Sequence, residues 1–197
     1  KSRVIMHYGL KLKIFIKNMV CGRCEMAVSQ IFKDLGIETV SVQLGVAETQ
    51  NDLDKKELKN LNNQLKKIGF EILEDQSQKQ IEQTKNLIIQ KIAELDISED
   101  FLLSEFLSDK MHRDYSSISK LFSQNQGSTL EQFFILQKIE KVKELLFYKE
   151  FSLTEITGKL GYKSVQHLSA QFRNTTGFTP TEFKKMKGEN RLPLDKF

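Results

Sequence analysis

The C-terminal half of this chain repeats itself, and the repeat restricts the possible architecture more than any other feature. Ile118, Ser119, Phe122, Gly127, Thr129 and Phe133 recur fifty residues later as Leu168, Ser169, Phe172, Gly177, Thr179 and Phe183. Upstream, Leu107 and Met111 are matched by Ile156 and Leu160 at a spacing of forty-nine, so the copies differ by one residue inside a turn. Apolar residues fall at helical spacing on both sides of that turn, so each copy is expected to be a short helix, a tight turn and a second helix. Capping boxes support the placement: Ser152 with Glu155, Thr129 with Gln132 and Thr179 with Glu182, with Pro180 at the favoured first helical position. From Thr129 to Lys149, one face carries Ile135, Ile139, Val142 and Leu146, which predicts a long connecting helix.

A short helix, a turn containing Gly161 and a second helix starting near Ser164 is the geometry of a helix-turn-helix, whose second helix enters the major groove of DNA. Two copies held rigidly would read two grooves about one helical turn apart, roughly 34 Å. In the second copy Leu168 and Phe172 are expected to pin the helix to its core. That leaves Lys163, Val165, Gln166, Ser169, Ala170 and Arg173 outward. Gln166 suits adenine, Val165 a thymine methyl, and Lys163 or Arg173 the phosphates. In the first copy Ile118 and Phe122 are the anchors, and Tyr115, Ser116, Ser117, Ser119 and Lys120 face out. Lys184, Lys185 and Lys187 add positive charge near the C-terminus. Solvated polar faces are equally common on ordinary helix pairs, so the pattern alone leaves a purely structural reading open.

The words "ILQKIEKVKELL", "SLTEITGKLGYKSVQHLSAQF" and "TTGFTPTEFKK" carry a more specific signal. Through them the segment from about Phe101 to Met186 resembles the DNA-binding domain of the AraC family of transcription regulators, two helix-turn-helix units joined by a long helix. The resemblance implies sequence-specific binding to promoter DNA through the outward residues named above. Three positions depart from the family's usual residues: Thr157 stands for alanine, Ala170 for a basic residue, and His112 for a small one.

The first seventy-odd residues have a different period. Leu10, Leu12, Ile14 and Ile16 alternate with lysines, the pattern of a strand with one buried face. Ala27, Val28, Ile31, Phe32 and Leu35 then repeat at helical spacing before Gly36. Val40, Val42 and Leu44 alternate again, and "VAETQND" is their candidate hairpin partner. Asp54 and Glu57 form a capping box before a helix with Leu58, Leu61, Leu65 and Ile68, and "GFEIL" reads as a closing strand. The order β-α-β-β-α-β is that of ferredoxin-like folds. The expected class is therefore α+β: a ferredoxin-like domain over residues 1–75, a polar linker ("EDQSQKQ") and leading helix over 76–100, and an all-α double helix-turn-helix domain over 101–197.

Cys21 and Cys24 are the chain's two cysteines. Set at i and i+3 where a loop runs into a helix, their sulfurs converge, and the helix N-terminus favours the thiolates that hold soft ions such as Cu(I). A tetrahedral zinc site wants four ligands, and this half offers only His7 besides. A redox pair and an inert helix start are the competing readings. Residues 10–73 also resemble a heavy-metal-associated domain of the copper-chaperone type, through "NMVCGRC" and "IGFEI". That resemblance implies Cys21 and Cys24 as the thiolate ligands and Met19 packing inward, with Asn18 standing where the family has glycine.

Composition bounds the rest. With 28% charged residues, two prolines and no tryptophan, the 197 residues suit two helix-rich domains, and a net charge of +4 neither requires nor excludes a polyanionic partner. No apolar run reaches the roughly 18 residues that cross a bilayer, and the start lacks a secretory core, so a cytoplasmic protein without membrane attachment is expected. Two cysteines exclude a disulfide framework. No nucleophile–base constellation, phosphate loop or paired-carboxylate motif is present, so an enzyme is not expected. The sequence thus predicts a one-chain DNA-binding regulator responsive to a soft metal ion. The rival readings are an N-terminal module for dimerisation, as a homodimer or with a protein partner, with no metal role, and a metal carrier whose helical half docks a partner.

Overall fold

The structure, a computed structural model, describes residues 12–189, and side chains only as far as Met186. His7, Leu10 and Lys11, and the side chain of Lys187, lie outside the described residues. The chain divides into two units, Lys1–Asn86 and Leu87–Phe197.

In the first unit the elements run β1 (Lys13–Lys17), α1 (Gly22–Asp34), β2 (Thr39–Gln43), β3 (Val46–Thr49), α2 (Lys55–Lys67) and β4 (Glu71–Ile72). The sheet order is β2-β3-β1-β4, with every pairing antiparallel. Ile14 and Ile16 of β1 and Ala47 of β3 join Val28 and Phe32 of α1 and Leu61 and Leu65 of α2 in one core, completed by Met19 and Phe70. Burying each large side chain there is worth about 1.5–3 kcal/mol. Two apolar residues do not follow the expected pattern. Val40 is 47% exposed because the β2–β3 register slips by one residue between Thr39 and Ser41, leaving Val40 outside the ladder. Ile68 is 49% exposed because α2 ends at Lys67, one residue before the helical stripe would bury it. The third strand is polar without penalty: its inward positions are Ala47 and Thr49, and the Thr49 hydroxyl donates to the Asn51 carbonyl at 2.7 Å.

The run expected as a polar linker is helical. Asp75 accepts the Gln78 amide at 2.8 Å and starts α3 (Gln76–Ala93), whose buried residues include Ile81, Thr84, Ile88 and Ile92. Within the first unit, α3 supplies the buried Glu82, which accepts the Asn18 amide at 2.8 Å, and Asn86, which occupies the space where a Cβ on Gly45 would stand.

The second unit realises the repeat in three dimensions. After the end of α3 it consists of α4 (Leu103–Met111), α5 (Tyr115–Gln126), α6 (Leu130–Tyr148), α7 (Leu153–Lys159), α8 (Val165–Thr176) and α9 (Pro180–Glu189). The helix α6, about 28 Å long at 1.5 Å per residue, packs against α5, α7, α8 and α9. Leu107, Ile118 and Phe122 of the first copy and Ile156, Leu168 and Phe172 of the second are all buried. Even the ring contacts repeat, with centroids 5.4 Å apart for Phe122–Phe133 and 5.5 Å for Phe172–Phe183. Each expected capping box forms, and Thr157 satisfies its buried hydroxyl on the Leu153 carbonyl at 2.7 Å.

The turns explain the one-residue offset. Between α4 and α5 stand His112, Arg113 and Asp114, all exposed; between α7 and α8 stand Leu160, Gly161, Tyr162, Lys163 and Ser164. His112 and Gly161 are the left-handed residues of the two turns, at φ 51° and 65°. The residue gained between Gly161 and the Ser164 cap is accommodated by burying Tyr162. Its hydroxyl donates to Gln171 at 2.7 Å, and its ring lies 3.7 Å from the Nζ of Lys138 on α6. Lys138 is itself buried, with Phe134 as its second aromatic neighbour at 5.3 Å, and burial lowers its pKa to about 8.

Gly161 is needed for more than its φ, since a Cβ there would sit 2.5 Å from the Ser98 carbonyl oxygen, whereas nothing lies within 4 Å of one at Gly127. In urea unfolding followed by circular dichroism, Gly161→Ala is expected to destabilise the helical unit by more than about 2 kcal/mol, and Gly127→Ala by only about 1 kcal/mol. The Lys138 amine gives a second test. Below about pH 8 it is charged in both states and folding carries the cost of burying the charge; above its ordinary value of 10.5 it is neutral in both. Between these limits the unfolded chain holds the proton that the folded chain lacks. Stability should therefore rise from pH 8 to 10 by on the order of 2 kcal/mol, and Lys138→Met should remove the rise.

Candidate nucleic-acid interface

The outward face of α8 follows from what its inward face must bury. Leu168 and Phe172 are fully buried, so the positions two residues before each, Gln166 and Ala170, fall on the far side of the helix and are exposed. Gln166, Ser169, Ala170 and Arg173 stand at i, i+3, i+4 and i+7 and make one stripe, with Ser169 half-buried at its edge. Lys163 is exposed just before the N-cap, and Val165 is half-buried in the first turn. The Ser164 hydroxyl accepts the His167 amide at 3.1 Å and fixes where the helix begins. Arg173 shares the surface with Glu182, whose carboxylate is held below its usual range by hydrogen bonds from Thr179 first, and then by the charges of Arg173 and Lys185.

On α5, Ser116, Ser117 and Lys120 are exposed and Ser119 is half-buried. Tyr115 is placed differently from its neighbours. Its hydroxyl donates to the Glu131 carboxylate at the start of α6. Burial and that carboxylate raise the phenol's pKa, and the same bond lowers that of Glu131. Tyr115 thus ties α5 to α6. Ser123, fifty residues before Arg173, completes the stripe of Ser116, Ser119 and Lys120. Sequence reasoning passed over it, although the repeat register marks it. Lys184 and Lys185 are exposed on α9.

The cysteine stretch forms a separate feature in the first unit. Cys21 is the N-cap of α1, and its sulfur lies 3.5 Å from that of Cys24. Cys21 is exposed and Cys24 half-buried. A backbone hydrogen bond from Cys24 lowers the Cys21 pKa most; burial opposes it, and smaller contributions from the Cys24 thiol, the Arg23 amide and the Arg23 charge keep the net shift downward. Met19 is fully buried in the core. Asn18 takes a left-handed conformation at φ 72° and binds the Gly69 carbonyl through its side chain at 2.9 Å while its amide is held by Glu82. Among the described residues no group of three or more His, Cys, Asp and Glu side chains is arranged to hold a metal ion. Two convergent thiolates are the donor type that suits a soft monovalent ion.

Comparison with known proteins bears on the second unit. A family described as a helix-turn-helix domain matches residues 107–186. The xylose operon regulatory protein of Escherichia coli K12 is 30% identical over 77 residues, which is 39% of this chain and 20% of that protein. The regulatory protein PocR of Salmonella typhimurium is 28% identical over 97 residues, 49% of this chain and 32% of that one. The chain thus spans about a fifth to a third of the length of these curated relatives. Among solved structures, the C-terminal domain of the response regulator yesN from Fusobacterium nucleatum is 27% identical with a TM-score of 0.44, covering 52% of this chain and 98% of that one. With its duplicated helix pairs and long central helix, the segment 107–186 matches the helix-turn-helix domain family and is similar to part of these regulatory proteins.

Proposed function

We propose that this chain is a transcription regulator that binds specific sites in double-stranded DNA through α5 and α8. The observation that carries the reading is the match of residues 107–186 to the helix-turn-helix family, in a unit whose second helices both leave polar, partly basic stripes exposed. Residues in the outward set are Ser116, Ser117, Ser119, Lys120, Lys163, Val165, Gln166, Ser169, Ala170 and Arg173; Tyr115 belongs instead to the support of α5. No helix among the described residues is long and apolar enough to cross a membrane. With DNA as its partner, the protein is read as cytoplasmic.

The first unit is read as a ferredoxin-like, heavy-metal-associated-like domain that takes Cu(I) at Cys21 and Cys24. Support comes from its element and strand order, the buried Met19 and the two convergent sulfurs. Bound ion would supply a regulatory charge and crosslink, while Asn18 and Glu82 hold the start of the loop. Such an ion changes DNA affinity only if it binds one arrangement of the protein better than another. The second reading gives the unit a docking or dimerising role with inert thiols, Cys21 serving only as the N-cap of α1.

Duplex sites selected from a random pool should bind with an affinity that falls steeply with salt, about 10³-fold or more between 50 and 200 mM for a protein neutralising six or more phosphates. Weak, salt-insensitive association would end the DNA reading. Cu(I) titration should give one equivalent bound and a changed DNA affinity, both lost in the Cys21→Ser, Cys24→Ser double variant. A wild-type protein whose DNA affinity ignores Cu(I) leaves the docking role in possession.

A further inference from the structure

We infer that the two recognition helices divide the work unequally: α8 discriminates bases, while α5 holds the duplex backbone and tolerates sequence changes beneath it. The inference rests on the proposed DNA binding and concerns which copy carries its specificity.

The repeat register allows a position-by-position comparison. Ser116, Ser119, Lys120 and Ser123 of α5 stand where α8 has Gln166, Ser169, Ala170 and Arg173. A glutamine amide presents a donor and an acceptor side by side, matching adenine, and a guanidinium matches the paired acceptors of guanine, each pairing discriminating by about tenfold or more. A serine hydroxyl rotates to donate or accept and so satisfies a phosphate or any base edge. Lysine acts as a point charge with no fixed fork. The α5 stripe, three serines and a lysine, can therefore bind without choosing. The largest side chain at the head of α5, Tyr115, is tied up by Glu131. At the equivalent place on α8 stands Val165, half-buried but with a methyl surface suited to thymine.

The supports of the two helices differ in the same direction. Base recognition tolerates little positional error, whereas a phosphate contact is forgiving. The turn before α8 is seated by Gly161 against Ile97 and Ser98, by buried Tyr162 bonded to Gln171, and by the Ser164 cap. The turn before α5 exposes His112, Arg113 and Asp114, and the Asp114 side chain makes no capping bond.

The test uses the full chain and a duplex selected from a random pool, with every single base change made in that duplex. Gln166→Ala should lower the preference at one base pair from about tenfold to near one, and Gln166→Glu should move that preference toward cytosine, an outcome misfolding cannot imitate. The triple variant Ser116→Ala, Ser119→Ala, Ser123→Ala should weaken binding by about the same factor on every duplex and leave the preferences intact. Lys120→Ala should weaken all duplexes alike and reduce the salt slope by about one. Base preferences that survive both changes at Gln166 but vanish in the triple-serine variant would overturn the division while leaving DNA binding standing. Failure of the wild-type chain to select any sequence would instead overturn the DNA reading, and this inference with it.

Discussion

The helical unit depends on one shared surface, the apolar flank of α6. Ile139, Val142, Leu145 and Leu146 are all buried on it, and the helices it packs against come from both copies of the repeat. A helix pair of some twenty residues cannot bury enough apolar area to offset the entropy of ordering its chain. Each copy completes its core by borrowing the same central helix. The cost of ordering α6 is thus met once for two helix-turn-helix units, and its rigidity fixes α5 and α8 in one frame. The Phe122–Phe133 and Phe172–Phe183 contacts are the two sockets by which neighbouring helices close each core.

Much of this was legible in the residues because the repeat and the caps are local signals. A capping box needs only side chains three apart, and every one expected from the sequence forms. The fifty-residue register likewise located the buried anchors of both copies. What could not be read was set by contacts distant in sequence. Tyr115 sits beside exposed serines and reads as one of them, yet its hydroxyl is engaged by Glu131, sixteen residues on. Lys138 reads as a polar position on α6, and only the placement of Tyr162 and Phe134 beside it makes its burial intelligible. Val40 follows the alternation of its strand faithfully, but a register slip against β3 puts it outside.

The cysteine pair illustrates a different limit. Its spacing made convergence of the sulfurs legible, and they do converge. The support for the loop was not legible, because it comes from Glu82, sixty-four residues from Asn18 in a run whose composition suggests a linker. A buried carboxylate that accepts a backbone amide is costly to remove, since its loss leaves the donor without a partner. The helix in which the apparent linker continues is therefore structural material for the first unit through Glu82.

The inserted Tyr162 makes the two copies unlike in shape as well as in surface. Regulators that recognise DNA as symmetric pairs of identical subunits impose inverted half-sites, related by a two-fold axis, on their targets. A single polypeptide that contains two dissimilar readers is free of that demand. On the proposed DNA-binding reading its target would have a head and a tail, and so would set the direction in which the helical unit lies on the duplex.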